Sequence, residues 1–382
     1  MRVLIAIVGA LLVALMLSEF FVTFMLPRRV RRDPRIARGL DWLLWRRWRA
    51  LARRLESASA DTLLGFFGPL ALLAQLVVWA LGLMIGYGLI EWAVAGGSFS
   101  ARFLTSSGLF LSAGTSSGSV GVRVVELLEA ATGVGVLFIV IGYIPAVYSA
   151  FSRRETAVSQ LAARAGSPPA AAALLQRAGA RGSWRHLERD LQAWEGWAAE
   201  LMETHLTYPL LAFYRSQHVN QNWLATLTAI VDVAAFIKAT VPDENGDAAD
   251  ITFGIGRHAL ADLALQFRLE PVSADRLSDS DFDDLFAIID RSQIANVDRE
   301  VARRRLDQYR GEYEPNAQAL AGSLALALPP WSRRDDSREQ GRKLGTSGTV
   351  PARDLVGQPA GHRTRHGRRR ARIRRYPAAG ER

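Results

Sequence analysis

Hydroxyl-bearing residues and glycines crowd a short segment near residue 115, and residues of this kind can surround a cation with oxygen atoms. The segment consists of Ser112, Ala113, Gly114, Thr115, Ser116, Ser117 and Gly118. Glycine adopts backbone conformations that are closed to residues with a Cβ atom, so the stretch can bend sharply and expose its carbonyl groups. Rings of carbonyl oxygens replace the hydration shell of an ion in the filters of ion channels. We therefore predict that these seven residues line an ion pathway.

Two uncharged apolar stretches flank this segment, at Leu63–Ile90 and Ala130–Ser152. Each is longer than the about 20 residues that a helix needs to cross a bilayer. Residues 100–112, which lie between them, would form a helix that reaches about half way across at ~1.5 Å per residue. Non-helical backbone is tolerated at membrane depth only where protein or a water-filled cavity surrounds it. The pattern predicts a spanning helix, a re-entrant segment and a second spanning helix.

A further apolar stretch, Val3–Leu26, is long enough to span and contains one acid, Glu19. It is longer than a signal peptide requires and no small-residue cleavage site follows it, so we expect a retained anchor. Residues 27–55 carry eleven arginines against two aspartates, and such loops stay cytoplasmic. The N-terminus is then outside and everything after the third span is cytoplasmic. The tryptophans of residues 27–55 favour either a helix lying on the inner leaflet or a linker helix packed on the soluble domain.

The overall charge is uninformative about nucleic acid. The chain of 382 residues has a net charge of +10, and residues 331–382 account for it with fifteen Lys and Arg against five Asp and Glu. This basic tail has little apolar content, so its composition predicts disorder. Cysteine is absent, which excludes disulfides, thiolate catalysis and cysteine-based metal sites. Nucleic acid is not required as a partner.

Residues 153–330 are predicted to form a helical cytoplasmic domain. The apolar stretch Asn222–Val241 contains Asp232 and Lys238, and we interpret it as a buried core helix rather than a fourth span. A polar run nearby is a candidate regulatory site or, alternatively, a polar network that closes a helix connection; its residues are Tyr214, Arg215, Gln217 and His218. We find no metal-ligand spacing, no pairing of a nucleophile with a base and no phosphate loop, so neither an enzyme nor a cofactor is expected.

Several runs of this sequence are similar to those of a bacterial group of two-pore-domain-type potassium channel proteins, within the superfamily of two-span, pore-loop channels. The runs are Val22–Val30, Gly68–Leu70, Glu129–Gly133, Ile141–Pro145, Phe151–Glu155, Ala163–Pro169 and Tyr214–His218. The resemblance covers about residues 1–330. It implies potassium as the transported ion, location in a bacterial inner membrane and, because one chain supplies one pore loop, a homotetramer.

The resemblance also implies roles for particular residues. The superfamily filter reads Thr-x-Gly-x-Gly, and the equivalent here begins at Ser112, with Gly114 as the first glycine and Ser116 in place of the second. The filter is therefore atypical. In the inner helix, the candidate gate or hinge residues are Gly133, Gly135, Gly142 and Pro145. Small residues equally permit close helix packing without a role in gating.

The sequence thus predicts an all-α membrane protein with three transmembrane helices, a re-entrant pore loop and a helical cytoplasmic domain. The expected segments are an anchor at 1–26, a basic interfacial segment at 27–62, a pore-like module at 63–152, the cytoplasmic domain at 153–330 and the tail at 331–382. The predicted function is cation conduction. The alternative is a non-conducting membrane sensor or scaffold that acts through its cytoplasmic domain.

Overall fold

The computed structural model describes residues 1–25, 36–111, 119–180, 184–218, 220–241, 247–273, 275–291 and 297–332. Within these ranges the chain is helical without a β-strand, which confirms the all-α prediction. The N-terminal helices are α1 (Arg2–Phe24), α2 (Ile36–Ala52), α3 (Ser57–Gly65), α4 (Phe67–Ala95), α5 (Phe99–Phe110) and α6 (Val120–Ala165). The C-terminal helices are α7 (Ala171–Ala180), α8 (Trp184–Thr207), a 3₁₀ helix (Pro209–Phe213), α9 (Trp223–Thr240), α10 (Asp247–Gln266), α11 (Asp279–Arg291) and α12 (Arg299–Leu324).

Four helical segments in the described part of the chain are long and apolar enough to cross a membrane, which fits a membrane protein. They differ in how much protein surrounds them. In α1, the α3–α4 segment and α6, only 28%, 44% and 17% of the most apolar window is buried within the protein, whereas in α9 the value is 94%. Helix α9 is therefore enclosed by protein as a core helix, whereas the other three leave most of their apolar surface for another environment.

The apolar stretches extend into longer helices than the predicted spans. Helix α4 starts at Phe67, after a break at Phe66 that separates it from α3. Helix α6 has 46 residues and continues beyond the predicted span of 130–152 at both ends. The boundary expected after residue 152 thus falls inside one continuous helix, which carries the chain directly from the apolar region into the C-terminal helices.

Asp232 is completely buried in α9, and a network of ionic contacts offsets the free-energy cost of burying its charge. Its carboxylate accepts hydrogen bonds from both terminal nitrogens of Arg276, at 2.7 and 3.1 Å, and from the Tyr313 hydroxyl at 2.5 Å. Glu314 lies 2.7 Å from Arg276 and 2.8 Å from Arg310. Buried charges persist when they are paired and hydrogen-bonded. The acid in this apolar stretch is therefore an internal anchor of the C-terminal helices.

Trp331 extends the helical domain beyond its predicted end at residue 330. Its side chain is buried, and the guanidinium groups of Arg276 and Arg310 lie 5.7 and 5.9 Å from its ring. Cations over an aromatic face are attracted by the ring quadrupole. This tryptophan belongs to the core, whereas residues 333–382, the rest of the predicted tail, lie outside the described residues.

The acid in α1 has a partner at the start of α2. Glu19 is almost fully buried, and one of its carboxylate oxygens accepts a hydrogen bond of 3.1 Å from the backbone nitrogen of Ile36. The first backbone N–H groups of a helix lack partners within it and favour negative charge. Glu19 thus fixes α2 against α1, although residues 26–35 between the two helices lie outside the described residues.

Helix α2 has one packed face and one exposed face. On the packed face, the indole nitrogens of Trp45 and Trp48 donate to the carbonyl oxygens of Ser323 and Leu63, both at 2.8 Å. On the other face, Trp42 is 61% exposed. The packed face agrees with the alternative of a linker helix, here packed on α3 and the end of α12. Trp42 on the second face agrees with a helix that lies on a lipid surface.

We predict that Asp232→Ala lowers the free energy of unfolding by about 3 kcal/mol or more, because Arg276 stays buried without its main partner. The matched control is Asp250→Ala, which removes a half-exposed ion pair with Lys238 and should cost less than about 1 kcal/mol. Thermal unfolding of the detergent-purified protein compares the two. Equal stabilities of the two variants would contradict the anchoring role of Asp232.

Candidate functional site

The chain reverses its direction between α4 and α5 in a tight glycine turn. Gly96 and Gly97 have φ angles of 73° and 86°, a region that residues with a Cβ atom rarely occupy. The Arg102 side chain donates a hydrogen bond of 3.1 Å to the Gly96 carbonyl, and the Ser98 hydroxyl accepts from the Ala101 nitrogen as a helix N-cap. These contacts start α5 next to the C-terminal end of α4.

From this turn α5 runs back along α4. The Ser106 hydroxyl lies 2.9 Å from the carbonyl oxygen of Met84. Met84 precedes the end of α4 at Ala95 by eleven residues, which corresponds to about 16 Å along the helix axis. Helix α5 therefore penetrates well into the apolar layer that α4 defines.

Helix α6 confirms the same depth from the other side. A Cβ atom added to Gly133 would overlap the carbonyl oxygen of Phe110 and lie 3.0 Å from its carbonyl carbon. Gly133 lies thirteen residues after the start of α6 at Val120, or about 20 Å along its axis. The C-terminal half of α5 thus lies between α4 and α6, about 20 Å from the start of α6. Its backbone at Phe110 is in direct contact with the α6 backbone at Gly133.

Three glutamates are buried around this helix. Glu91 of α4 and Glu129 of α6 have no exposed surface, and Glu126 is 5% exposed. The Ser106 hydroxyl donates to the Glu129 carboxylate. Because Glu126 and Glu129 directly precede the apolar stretch 130–152, the sequence alone would allow them to attract cations at the outer mouth or to act as interfacial polar residues. The structure instead makes the acids part of the packing that joins α4, α5 and α6.

The predicted filter, residues 112–118, lies outside the described residues. Of the predicted gate residues, Gly133 serves the close contact with α5, whereas a Cβ atom at Gly135 or Gly142 would meet no atom within 4 Å. Helix α6 continues through Pro145 without interruption. The structure therefore assigns a packing role to Gly133, and a hinge at the other positions stays a prediction.

A buried arginine ties α6 to the C-terminal helices. One terminal nitrogen of Arg154 donates to the carbonyl oxygen of Leu211 and the other to that of Tyr214, both at 2.8 Å. The first of these nitrogens also lies 3.3 Å from His205 Nε2, and His205 Nδ1 lies 2.8 Å from the Leu201 carbonyl oxygen. A guanidinium group only donates hydrogen bonds. Nε2 of His205 is therefore the acceptor, and Nδ1 carries the proton.

The candidate regulatory residues divide into two pairs. Tyr214 is buried, and Arg215 donates to the carbonyl oxygens of Leu324 and Ala325 at 3.1 and 2.8 Å. These two residues match the alternative of a polar network that closes a helix connection. Gln217 and His218 are exposed and line a cleft of about 730 Å³ beside the C-terminal part of α6.

The comparisons with known proteins give no relative for this arrangement. No family model, no curated protein and no solved structure matches the chain. Among the described residues, no group of three or more His, Asp or Glu side chains has the geometry to hold a metal ion. The function must therefore be inferred from the arrangement of α4, α5 and α6.

We predict that Gly133→Ala destabilises the protein by about 1–3 kcal/mol, because its methyl group overlaps the α5 backbone and overpacked sites must shift. Gly135→Ala is the matched control, two residues along the same helix and with open space around the new methyl group. Thermal unfolding in one detergent measures both variants. A loss in Gly135→Ala as large as that in Gly133→Ala would contradict the close contact.

We also predict that His205 makes the protein less stable in mild acid. Burial and the charge of Arg154 lower the pKa of His205 from 6.5 to about 3, against the opposing effect of the Leu201 hydrogen bond. Below pH 6.5 the unfolded chain binds a proton that the folded chain does not, so stability falls as the pH falls from 6.5 towards 3. At pH 5 the loss is about 2 kcal/mol.

His205→Gln cannot take up this proton, so its melting temperature should fall less than that of the wild type between pH 7 and pH 5. His186→Gln, which changes an exposed histidine of the same helix, should retain the wild-type pH dependence. The same pH dependence in His205→Gln as in the wild type would show that this histidine is not held neutral.

Proposed function

We propose that this protein is a pore-loop cation channel in which α4, α5 and α6 form the pore module of each subunit. The observation that carries the proposal is the course of α5. It starts beside the end of α4, descends between α4 and α6, and ends where Phe110 meets Gly133. A short helix held at this depth by two long apolar helices is the arrangement that a re-entrant pore segment requires.

The depths support this interpretation. Contacts with α4 and α6 put the inner end of α5 about 16–20 Å below their outer ends, which is slightly more than half of an about 30 Å hydrocarbon layer. Seven residues, 112–118, separate Leu111 at the end of α5 from Ser119 at the start of α6, and in this proposal they form the connection between the two levels. Irregular backbone at such depth must line water or be enclosed by protein.

The orientation of α5 supports a cation as the transported ion. The C-terminal end of a helix carries partial negative charge on its unsatisfied carbonyl groups, and this end of α5 leads directly into the Ser-, Thr- and Gly-rich segment. The hydroxyls and carbonyls of residues 112–118 would supply the oxygen ligands that replace the hydration shell. The resemblance to potassium channel proteins supports K⁺ as the ion.

The membrane topology that we propose has α1, α4 and α6 as the three spans of a bacterial inner-membrane protein. Positive charge supports the orientation, because Arg153 and Arg154 follow the apolar part of α6 directly and such residues stay on the cytoplasmic side. The N-terminus is then outside, and α7 to α12 form a cytoplasmic domain. The enclosure of α9 supports three spans rather than four.

We further propose that four copies of the chain surround the pore, because a single pore helix cannot enclose an ion pathway. The exposed apolar face of α6 indicates that another subunit or lipid covers this surface. Leu137, Phe138 and Ile141 are 58%, 70% and 59% exposed in the single chain. Exposed apolar surface of this extent is covered by lipid or by another subunit in a membrane protein.

A non-conducting sensor or scaffold is the second candidate. The serine at position 116, where the filter pattern has its second glycine, favours it from the sequence. The anchoring of Arg154 favours it from the structure, because this contact joins α6 to the cytoplasmic helices whether or not ions pass. In this candidate the cytoplasmic domain performs the function, and substitutions in residues 112–118 leave that function intact.

Cation flux through the protein in liposomes distinguishes the two candidates. We predict that the wild type releases trapped K⁺ and that Gly114→Ala abolishes the release, because a Cβ atom disturbs the filter backbone. Gly196→Ala is the control, an equivalent change at an exposed position of α8 where the methyl group meets open space, and should retain the release.

Two results would overturn the channel. The first is unchanged flux in Gly114→Ala, which would remove the pore assignment from residues 112–118. The second is the absence of cation flux in the folded wild type, which would favour the sensor or scaffold.

A further inference from the structure

A cavity of about 800 Å³ lies where the candidate spans meet the cytoplasmic helices. Thr23 near the end of α1 and Gln75 of α4 form one wall, and α2 forms a second. Residues 266–269 at the end of α10 and Ser323 near the end of α12 close the cavity from the cytoplasmic side. It therefore opens at the level of the inner leaflet in the topology proposed above, on which the inference rests.

Most of the cavity wall is apolar and aromatic. The contributing side chains are Trp42, Trp45, Leu210, Phe213, Phe267 and Leu269. Binding sites for organic ligands have volumes of about 300–1,000 Å³ and combine such walls with a few polar groups. Tryptophan is also enriched where a membrane meets water. These apolar and aromatic side chains can pack against the part of a lipid acyl chain that is nearest to its head group.

Two arginines, Arg38 and Arg268, supply the positive charge of the cavity wall. Guanidinium groups bind phosphate through paired hydrogen bonds. Both arginines also interact with protein groups, so a phosphate would share their donors. The arginine pair gives the cavity the charge that an anionic head group needs.

The acid in the same cavity is already engaged. Both carboxylate oxygens of Asp41 accept from the amide nitrogen of Gln75, at 2.7 and 2.8 Å. Burial raises the pKa of Asp41 from 3.8 to about 7, and the Gln75 hydrogen bond opposes this rise. At neutral pH this carboxyl group is therefore about half protonated, which weakens its repulsion of an anion.

We propose that this cavity binds an anionic phospholipid of the inner leaflet. The phosphate lies between Arg38 and Arg268, and the start of an acyl chain lies against the aromatic wall. A lipid held here contacts α2, α4, the 3₁₀ helix and the end of α10 at once. It would thus join the membrane helices to the cytoplasmic domain next to the Arg154 contact.

Native mass spectrometry of the whole protein in neutral detergent tests the proposal, with phosphatidylglycerol as the probe. We expect a bound phosphatidylglycerol that survives detergent exchange, and an affinity at least about tenfold lower in the double variant Arg38→Gln/Arg268→Gln. The control is Arg53→Gln/Arg54→Gln, which removes equal charge from exposed positions directly after α2. It should retain the wild-type affinity.

A second variant fills the cavity without changing its charge. Gly39 lines the cavity, and a Cβ atom there meets nothing within 4 Å, so Gly39→Leu should fold and displace the acyl chain. Loss of phosphatidylglycerol from this variant supports the site even if the double arginine variant fails to fold. Retained affinity in Gly39→Leu would place the lipid elsewhere.

Two further arms identify the ligand. Phosphatidylcholine with the same acyl chains should bind more weakly, because its head group has no net charge. Inorganic phosphate alone should fail to compete. Competition by phosphate at comparable concentration, or an equal loss of affinity in both arginine double variants, would overturn the proposal. None of these readouts uses ion flux, so failure here leaves the channel proposal standing, and the reverse also holds.

Discussion

The contact between the Phe110 carbonyl group and the backbone of α6 at Gly133 determines how α4, α5 and α6 are arranged. It sets how far α5 descends, and the position of α5 in turn sets where residues 112–118 begin. The contact requires a residue without a Cβ atom. On the opposite side, the Ser106 hydroxyl lies against the Met84 carbonyl oxygen, so both long helices fix the depth of the short one.

Pairing of polar groups inside apolar surroundings explains most of the other unusual residues. Glu19 binds the start of α2, Gln75 binds Asp41, and the Tyr87 hydroxyl lies 2.8 Å from the Thr132 hydroxyl. A polar group without a partner costs several kcal/mol in hydrocarbon, so each pair also fixes how two helices sit against each other. The same rule operates around Asp232 and Arg154, where the pairs organise the C-terminal helices and their attachment to α6.

The sequence was sufficient for features that depend on local composition. Apolar length predicted α1, α4 and α6, the short stretch between them predicted α5, and the charges within Asn222–Val241 predicted a core helix. It was insufficient wherever partners are distant in the chain. Ser106 and Glu129 are 23 residues apart, and Asp232 and Arg276 are 44 apart. No periodicity reveals such pairs, so the burial of Glu129 and the place of Trp331 in the core, rather than in the tail, could not be predicted.

The most direct test of the account is the side of the membrane on which the two ends of the α5 region lie. The chain has no cysteine, so Ala95→Cys and Ser119→Cys each give a single reactive site, and Arg54→Cys gives a reference on the predicted inner side. A re-entrant α5 predicts that an impermeant maleimide labels both Ala95→Cys and Ser119→Cys in intact cells, and labels Arg54→Cys only after lysis. Labelling of the first two from opposite sides would show that α5 belongs to a crossing segment and would contradict the pore module.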